Sequence, residues 1–175
     1  GTDYRGPIKG KHMGPRFEAE TKNLLDQAAK RTFSQLVQRH ERDYKALFNR
    51  VSLDLGPSRT GSVQSRLHAL AKGEPDPGLA ALLFQFGRYL LISSSRDGYL
   101  PANLQGLWAE ELQTPWNGDY HININVQMNY WLAEVTGLSE CQRPLLALIE
   151  SLVEPGRRTA KAYYNAPGWV AHVIT

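Results

Sequence analysis

Residues 116–134 read W-N-G-D-Y-H-I-N-I-N-V-Q-M-N-Y-W-L-A-E. These nineteen positions hold one His, four Asn, one Gln, two Trp and two Tyr. Aromatic faces beside many neutral amides suit a neutral polyhydroxylated ligand, which offers C–H faces to stack on and hydroxyls that donate and accept. A sugar fits that description best. The fold depends on how the stretch is read. His121, Asn123, Asn125, Gln127 and Asn129 alternate with Ile122, Ile124, Val126, Met128 and Tyr130, the period of an extended chain with one wet face. A plain half-buried strand would look the same, but amides are poor strand formers. A helix starting near Asn125 instead puts Met128, Trp131, Leu132 and Val135 on one face.

The flanking sequence is helical. Leu25, Ala29, Phe33, Leu36, His40, Tyr44 and Leu47 step by three and four, which predicts one long helix from about Phe17 to Phe48, with His40 as a core-edge residue. Arg50 to Leu55 alternates like an extended exit, and Gly56-Pro57 ends it. A short helix is expected over Ser62 to Leu70, with Val63, Leu67 and Leu70 facing in. Asp76 and Pro77 suit the cap and first turn of a well-buried helix running to about Ser95. Arg96-Asp97-Gly98 stops it. Residues 99–122 lack helical period, and a connection of that length in a compact domain is usually functional. Beyond residue 135, Ser139 caps a helix to Glu154, Pro155-Gly156 breaks it, and a last helix covers Arg157 to Tyr164. Residues 1–16 read as a linker, tail or expression scar, outside the folded part spanning 17–175.

Composition narrows the function. The chain has 175 residues, 42% hydrophobic and 21% charged, enough for one globular core. The net charge of +3 is spread out rather than clustered, which argues against nucleic acid. No apolar run approaches a membrane span, and no signal-peptide pattern opens the chain. The single cysteine, Cys141, excludes an intrachain disulfide and reads as a small buried hydrophobe. The five His are scattered without ligand spacing, so no metal site is expected. No phosphate-binding Gly-rich turn and no nucleophile elbow are present. Neither metal nor cofactor is called for.

The stretch resembles the inverting α-L-fucosidases of glycoside hydrolase family 95, whose active site carries W-x-x-D-Y-H-x-N-I-N-x-Q-M-N-Y-W. Tyr99 to Trp108, Y-L-P-A-N-L-Q-G-L-W, is similar to a second motif of that family, and Gly87 to Ser95, G-R-Y-L-L-I-S-S-S, to the helix leading into it. His40 to Leu55 and Gly168 to His172 match as well. The resemblance covers roughly residues 20–175. It implies an all-α fold of antiparallel helix pairs forming part of an (α/α)6 barrel, and it decides for an extended segment feeding a helix near Asn125. It also implies that the chain is the N-terminal part of a longer catalytic domain in a secreted or periplasmic parent. One departure stands out: Gln64-Ser65 precedes Arg66 where the family has an acidic pair, which weakens the salt bridge expected at that turn.

An amide does not titrate usefully, so Asn can serve as neither acid nor base. It can accept a water's hydrogen bonds and aim that water. The resemblance implies that Asn123 and Asn125 position the attacking water and that His121 contacts a sugar hydroxyl. Asn103, Gln105, Trp108 and Trp116 are candidates for the rim or floor of the pocket, and Asp119 for orienting His121. The resemblance places the acid and base beyond the matching region, so the isolated chain is expected to be inactive. The expected partner is a fucosylated glycan. Uncovered helix faces are expected to drive self-association. The alternative is a non-catalytic carbohydrate-binding or truncated protein, because no pair of carboxylates stands at a defined spacing.

Overall fold

The computed structural model describes residues 17–111 and 113–173; the linker read at residues 1–16 lies outside them. The described residues form α-helices and short 3-10 turns, with no named strand among them. The chain divides into two units, residues 1–45 and 46–175.

In the first unit the long helix predicted from Phe17 is interrupted. Helix α1 covers Phe17–Ala29 and α2 covers Phe33–Phe48, with the last turn of α2 in the second unit. Thr32 explains the break. Its hydroxyl accepts from Gln35 N at 3.3 Å, while Gln35 Oε1 accepts from Thr32 N at 2.9 Å. This reciprocal pair is a capping box, and T-x-x-Q was its signature in the sequence. His40 is exposed rather than at a core edge, and it stacks on Tyr44.

The second unit is built on α3 (Val63–Ala71) and α4 (Pro77–Ser94). Ser62 caps α3, and Asp76 caps α4 by accepting from Leu79 N at 3.0 Å. Asp76 also takes a two-bond fork from Arg66, at 2.8 and 3.0 Å. The salt bridge expected to be weak here is therefore present, supplied by an acid from the next element. The Arg66 guanidinium holds the Asp76 carboxyl down to about 2. Only part of α4 is buried, contrary to expectation. Leu79, Leu91 and Ile92 are in the core. Leu82, Leu83 and Phe86 join Val63, Leu67 and Leu70 around an open apolar cavity of about 560 Å³.

Arg88, fully buried on α4, ties this unit together. Its guanidinium donates to Leu47 O at 3.0 Å, Phe48 O at 2.7 Å, Val51 O at 3.0 Å and Thr136 O at 3.3 Å. Gln85 Oε1 accepts a further bond at 2.8 Å. The last carbonyls of a helix have no intrahelical partner and carry the negative end of its dipole. One cation thus satisfies the ends of two helices, α2 and α6 (Leu132–Val135).

Helix α5 begins at Asn125, as the resemblance implied, but ends at Tyr130, and a separate short helix, α6, carries on to Val135. The segment before it is a turn rather than an extended run: Ile124 has φ −161° and ψ −33°, and Val126 N bonds back to His121 O. The apolar set Met128, Trp131 and Val135 is exposed, while Val126, Tyr130 and Ala133 are buried. Ser139 does not cap a helix but lies inside a 3-10 turn, Ser139–Gln142, that leads into α7 (Arg143–Tyr164). Of the α7 residues expected to face in, Leu145 is buried, Leu148 and Leu152 are half-buried and Ile149 is exposed. Pro155 lies inside α7 without ending it, although an interior proline forgoes one backbone hydrogen bond. Gly156 makes room for the returning chain: a Cβ there would lie 2.8 Å from Val170 O and 3.1 Å from Trp169. Asn165, with φ 46°, ends the helix.

No helix among the described residues is long and apolar enough to cross a membrane, and no cluster of His, Cys, Asp or Glu among them could hold a metal ion.

Candidate functional site

Three pieces of irregular chain meet at the start of α5. The first is 101–108. Asn103 and Gly106 exchange backbone hydrogen bonds at 3.3 and 3.0 Å, and Asn103 Oδ1 accepts from Gln105 N at 2.9 Å. A tight Asx-type turn results, with Gln105 at its tip. Tyr130 of α5 anchors the start of this loop, its hydroxyl accepting from Ala102 N at 2.8 Å. Asn129, one residue earlier, donates to Asn103 O at 3.0 Å. Tyr120 donates to Pro101 O at 2.9 Å, and its burial pushes the phenol up to about 12, so it stays protonated.

The second piece is the 3-10 turn Pro115–Gly118. Trp116 (φ 56°, ψ 28°) and Asn117 (φ 55°, ψ 12°) are left-handed, and Gly118 follows at φ 64°. A left-handed residue with a side chain costs about 1–2 kcal/mol, so something must hold the turn. Gln105 Nε2 donates to Pro115 O at 2.9 Å. Gly118 lies against the same side chain: a Cβ on it would sit 3.1 Å from Thr114 Oγ1, 3.2 Å from Asn103 Nδ2 and 3.3 Å from Gln105 Oε1. The turn leaves the Trp116 indole 74% exposed, in edge-to-face contact with the His121 ring at 5.9 Å.

The third piece, His121–Ile124, turns into α5. Ile122 N donates to Val173 O at 2.9 Å, and Gln127 Nε2 donates to Ile122 O at 2.7 Å. His121 Nε2 is buried with no hydrogen-bond partner among the described residues. A buried polar atom left in that state costs free energy unless something else meets it. Asn123 is exposed and Asn125 half-buried.

The site residues named from the sequence fall into two groups. Gln105 and Trp108 line a cavity of about 350 Å³ with Leu90, Ser94, Met128 and Asn129. Trp108 also packs obliquely on Tyr89, with ring centres 6.3 Å apart. Trp116 and His121 form the outer group, followed along the chain by Asn123 and Asn125. Asn103 and Gln105 connect the groups through the contacts with Pro115 and Gly118. Asp119 closes the 3-10 turn, its N–H bonded to Trp116 O, and no hydrogen bond joins it to His121 among the described residues. Asn129 and Tyr130 belong to the alternating run, but neither they nor Gly118 were expected as site residues. Helical spacing could have found Asn129, since it stands four residues after Asn125 on the same side of α5.

Of the nearby carboxylates, one is engaged, three are exposed, and Asp119 is half-buried. Glu140 is locked to Arg50 by two bonds of 2.8 and 2.7 Å, and that guanidinium brings its carboxyl down to about 2. Glu110, Glu111 and Glu134 are exposed.

Helices joined by loops that gather amides and aromatics at one place define an all-α scaffold. The chain belongs to glycosyl hydrolase family 95, whose catalytic domain it matches over residues 32–175, and that family has the (α/α)6 barrel fold. It is 46% identical to "Alpha-L-fucosidase 2" of Arabidopsis thaliana over 162 residues, 89% of this chain and 19% of the relative. It is 45% identical to "Probable alpha-fucosidase A" of Aspergillus niger over 150 residues, 83% of this chain and 19% of the relative. The protein of the same name in Aspergillus oryzae is 40% identical over 178 residues, 98% of this chain and 24% of the relative. The chain thus spans about a fifth to a quarter of the length of these curated relatives.

Proposed function

We propose that this chain forms the N-terminal part of the catalytic domain of a longer glycosidase, which hydrolyses terminal α-L-fucosides or the similar α-L-galactosides with inversion at the anomeric carbon. The observation that carries the reading is the entry to α5. There His121 holds a buried, unmatched ring nitrogen beside an exposed indole. Asn123 and Asn125 follow within four residues, and neither side chain is hydrogen-bonded among the described residues. The likeness to proteins named as fucosidases supports the substrate class.

In this reading the amide oxygens of Asn123 and Asn125 accept the hydrogens of one water and aim its oxygen at the anomeric carbon. A carboxylate outside the described residues takes the water's proton. A carboxylic acid, also outside them, protonates the leaving oxygen as the glycosidic C–O bond breaks. His121 hydrogen-bonds a sugar hydroxyl. Glu140, held by Arg50, is not free to serve as either carboxylate. The lack of a carboxylate pair at a defined spacing favours the second reading, a carbohydrate-binding or truncated protein without turnover.

Proton NMR of the sugar first released by the full-length protein tests the proposal. β-L-Fucose appearing before the α anomer is the expected result. α-L-Fucose appearing first overturns inversion, and binding without release selects the second reading.

A further inference from the structure

The left-handed turn at 115–118 is an expensive way to build a loop, and its product is one exposed aromatic face. Three consecutive residues have positive φ, two of them with side chains. The turn is fastened from below by Gln105, which donates to Pro115 O, and it is packed so closely at Gly118 that no Cβ fits without displacing Asn103, Gln105 or Thr114. Above this support the Trp116 ring stands mostly in solvent, edge-on to His121. A core role would bury the indole; a plain surface role would not need the backbone held in a disfavoured conformation.

We propose that Trp116 is the apolar platform on which the C–H face of the bound sugar rests, and that Gln105 and Gly118 are positioning residues that set its posture without touching the sugar. The inference rests on the fucosidase reading given above. The ring C–H bonds of a pyranose make one apolar face that suits the indole. His121, in edge contact with that indole, is placed to meet a hydroxyl at the rim of the same ring. Gln105 Oε1 is buried against Gly118, and Gln105 Nε2 is spent on Pro115 O. Its effect on the ligand must pass through the turn.

Steady-state kinetics of the full-length protein on an aryl α-L-fucoside test this. Trp116→Ala is expected to raise KM about tenfold or more while changing kcat less than about threefold, as loss of binding shared by ground and transition states requires. Trp116→Phe should recover most of the loss. Gln105→Leu and Gly118→Ala should each raise KM in the wild-type background, yet add nothing further in a Trp116→Ala background, because their effect runs through the indole. Fully additive effects in the double variants overturn the positioning roles. An unchanged KM in Trp116→Ala, with an active wild type, overturns the platform itself. A wild type that hydrolyses no α-L-fucoside overturns the fucosidase reading and this inference with it.

Discussion

Tyr130 Oη lies 2.7 Å from Ser95 Oγ, and the proton count fixes which of them donates. Ser95 has one hydroxyl proton and gives it to Cys141 O at 2.7 Å, so its oxygen must accept from Tyr130. Tyr130 in turn accepts from Ala102 N. The buried chain therefore runs in one direction, from Ala102 N–H through Tyr130 and Ser95 to the Cys141 carbonyl. It joins the 101–108 loop, α5, the end of α4 and the turn before α7 at a single point.

Removing the phenol oxygen should be felt as a stability loss. In Tyr130→Phe the Ala102 N–H is left buried without its acceptor, which costs about 1–3 kcal/mol. Urea unfolding followed by circular dichroism should show a lower midpoint at unchanged slope. An unchanged midpoint would mean that the chain contributes nothing net.

Arg88 should tolerate no substitution. Leu47, Phe48, Val51 and Thr136 all lose a donor if the guanidinium goes. Arg88→Ala is expected to fall in the rare class of losses above about 4 kcal/mol. Arg88→Lys, with a compact ammonium in place of a planar fork, should recover only a minor part. Thermal melts of both variants against the wild type check this; a lysine variant as stable as the wild type would contradict the account of the two helix ends.

Much of this was legible in the sequence and some was not, for identifiable reasons. Asp76-Pro77 and Ser62 mark helix starts because capping is local chemistry. The break at Thr32 was equally local, but the apolar stepping from Leu25 to Leu47 continued across it and masked the capping box. The alternation at 121–130 suggested an extended pair of amides, whereas Asn125 begins a helix and stands one turn before Asn129. Period two and the helix start are both present in those ten residues, and only the packing of Val126 and Tyr130 chooses between them. Pro155 looked like a stop because nothing near it in sequence announces Trp169 and Val170, which pack on the neighbouring glycine. Gly118 and the posture of Trp116 depend on Gln105, ten and more residues away, a relation that no short pattern encodes.

Acid should weaken the fold through Asp76. Its carboxyl titrates near 2 in the folded protein, below its usual 3.8, mainly because Arg66 donates to it. A lowered folded value means that the contribution is complete above pH 3.8 and fades as pH falls towards 2. Denaturant midpoints should therefore drop over that window, and Asp76→Asn should be less stable at pH 7 and show a shallower drop. An Asn variant with the wild-type slope would remove Asp76 from the explanation. Glu140 is lowered in the same sense by Arg50, but this pair is more than a third exposed and solvent screens it.

The apolar cavity between α3 and α4 bears on association. Leu83 is 71% exposed and Phe86 50%, beside Leu67 and Leu70 of α3. Apolar surface of this kind on a lone domain draws partners. Light scattering of the isolated chain should show a mass that rises with concentration, and Leu83→Lys with Phe86→Lys should reduce it. A concentration-independent monomer would contradict the expectation.

Asn123 and Asn125 at the entry to α5 are proposed to hold the attacking water. Turnover of an α-L-fucoside by full-length Asn123→Gly and Asn125→Gly variants tests it most directly. A fall in kcat of at least about a hundredfold, with KM changed by less than about tenfold, is the expected result for an interaction made mainly in the transition state. Either variant turning over at the wild-type rate would contradict it.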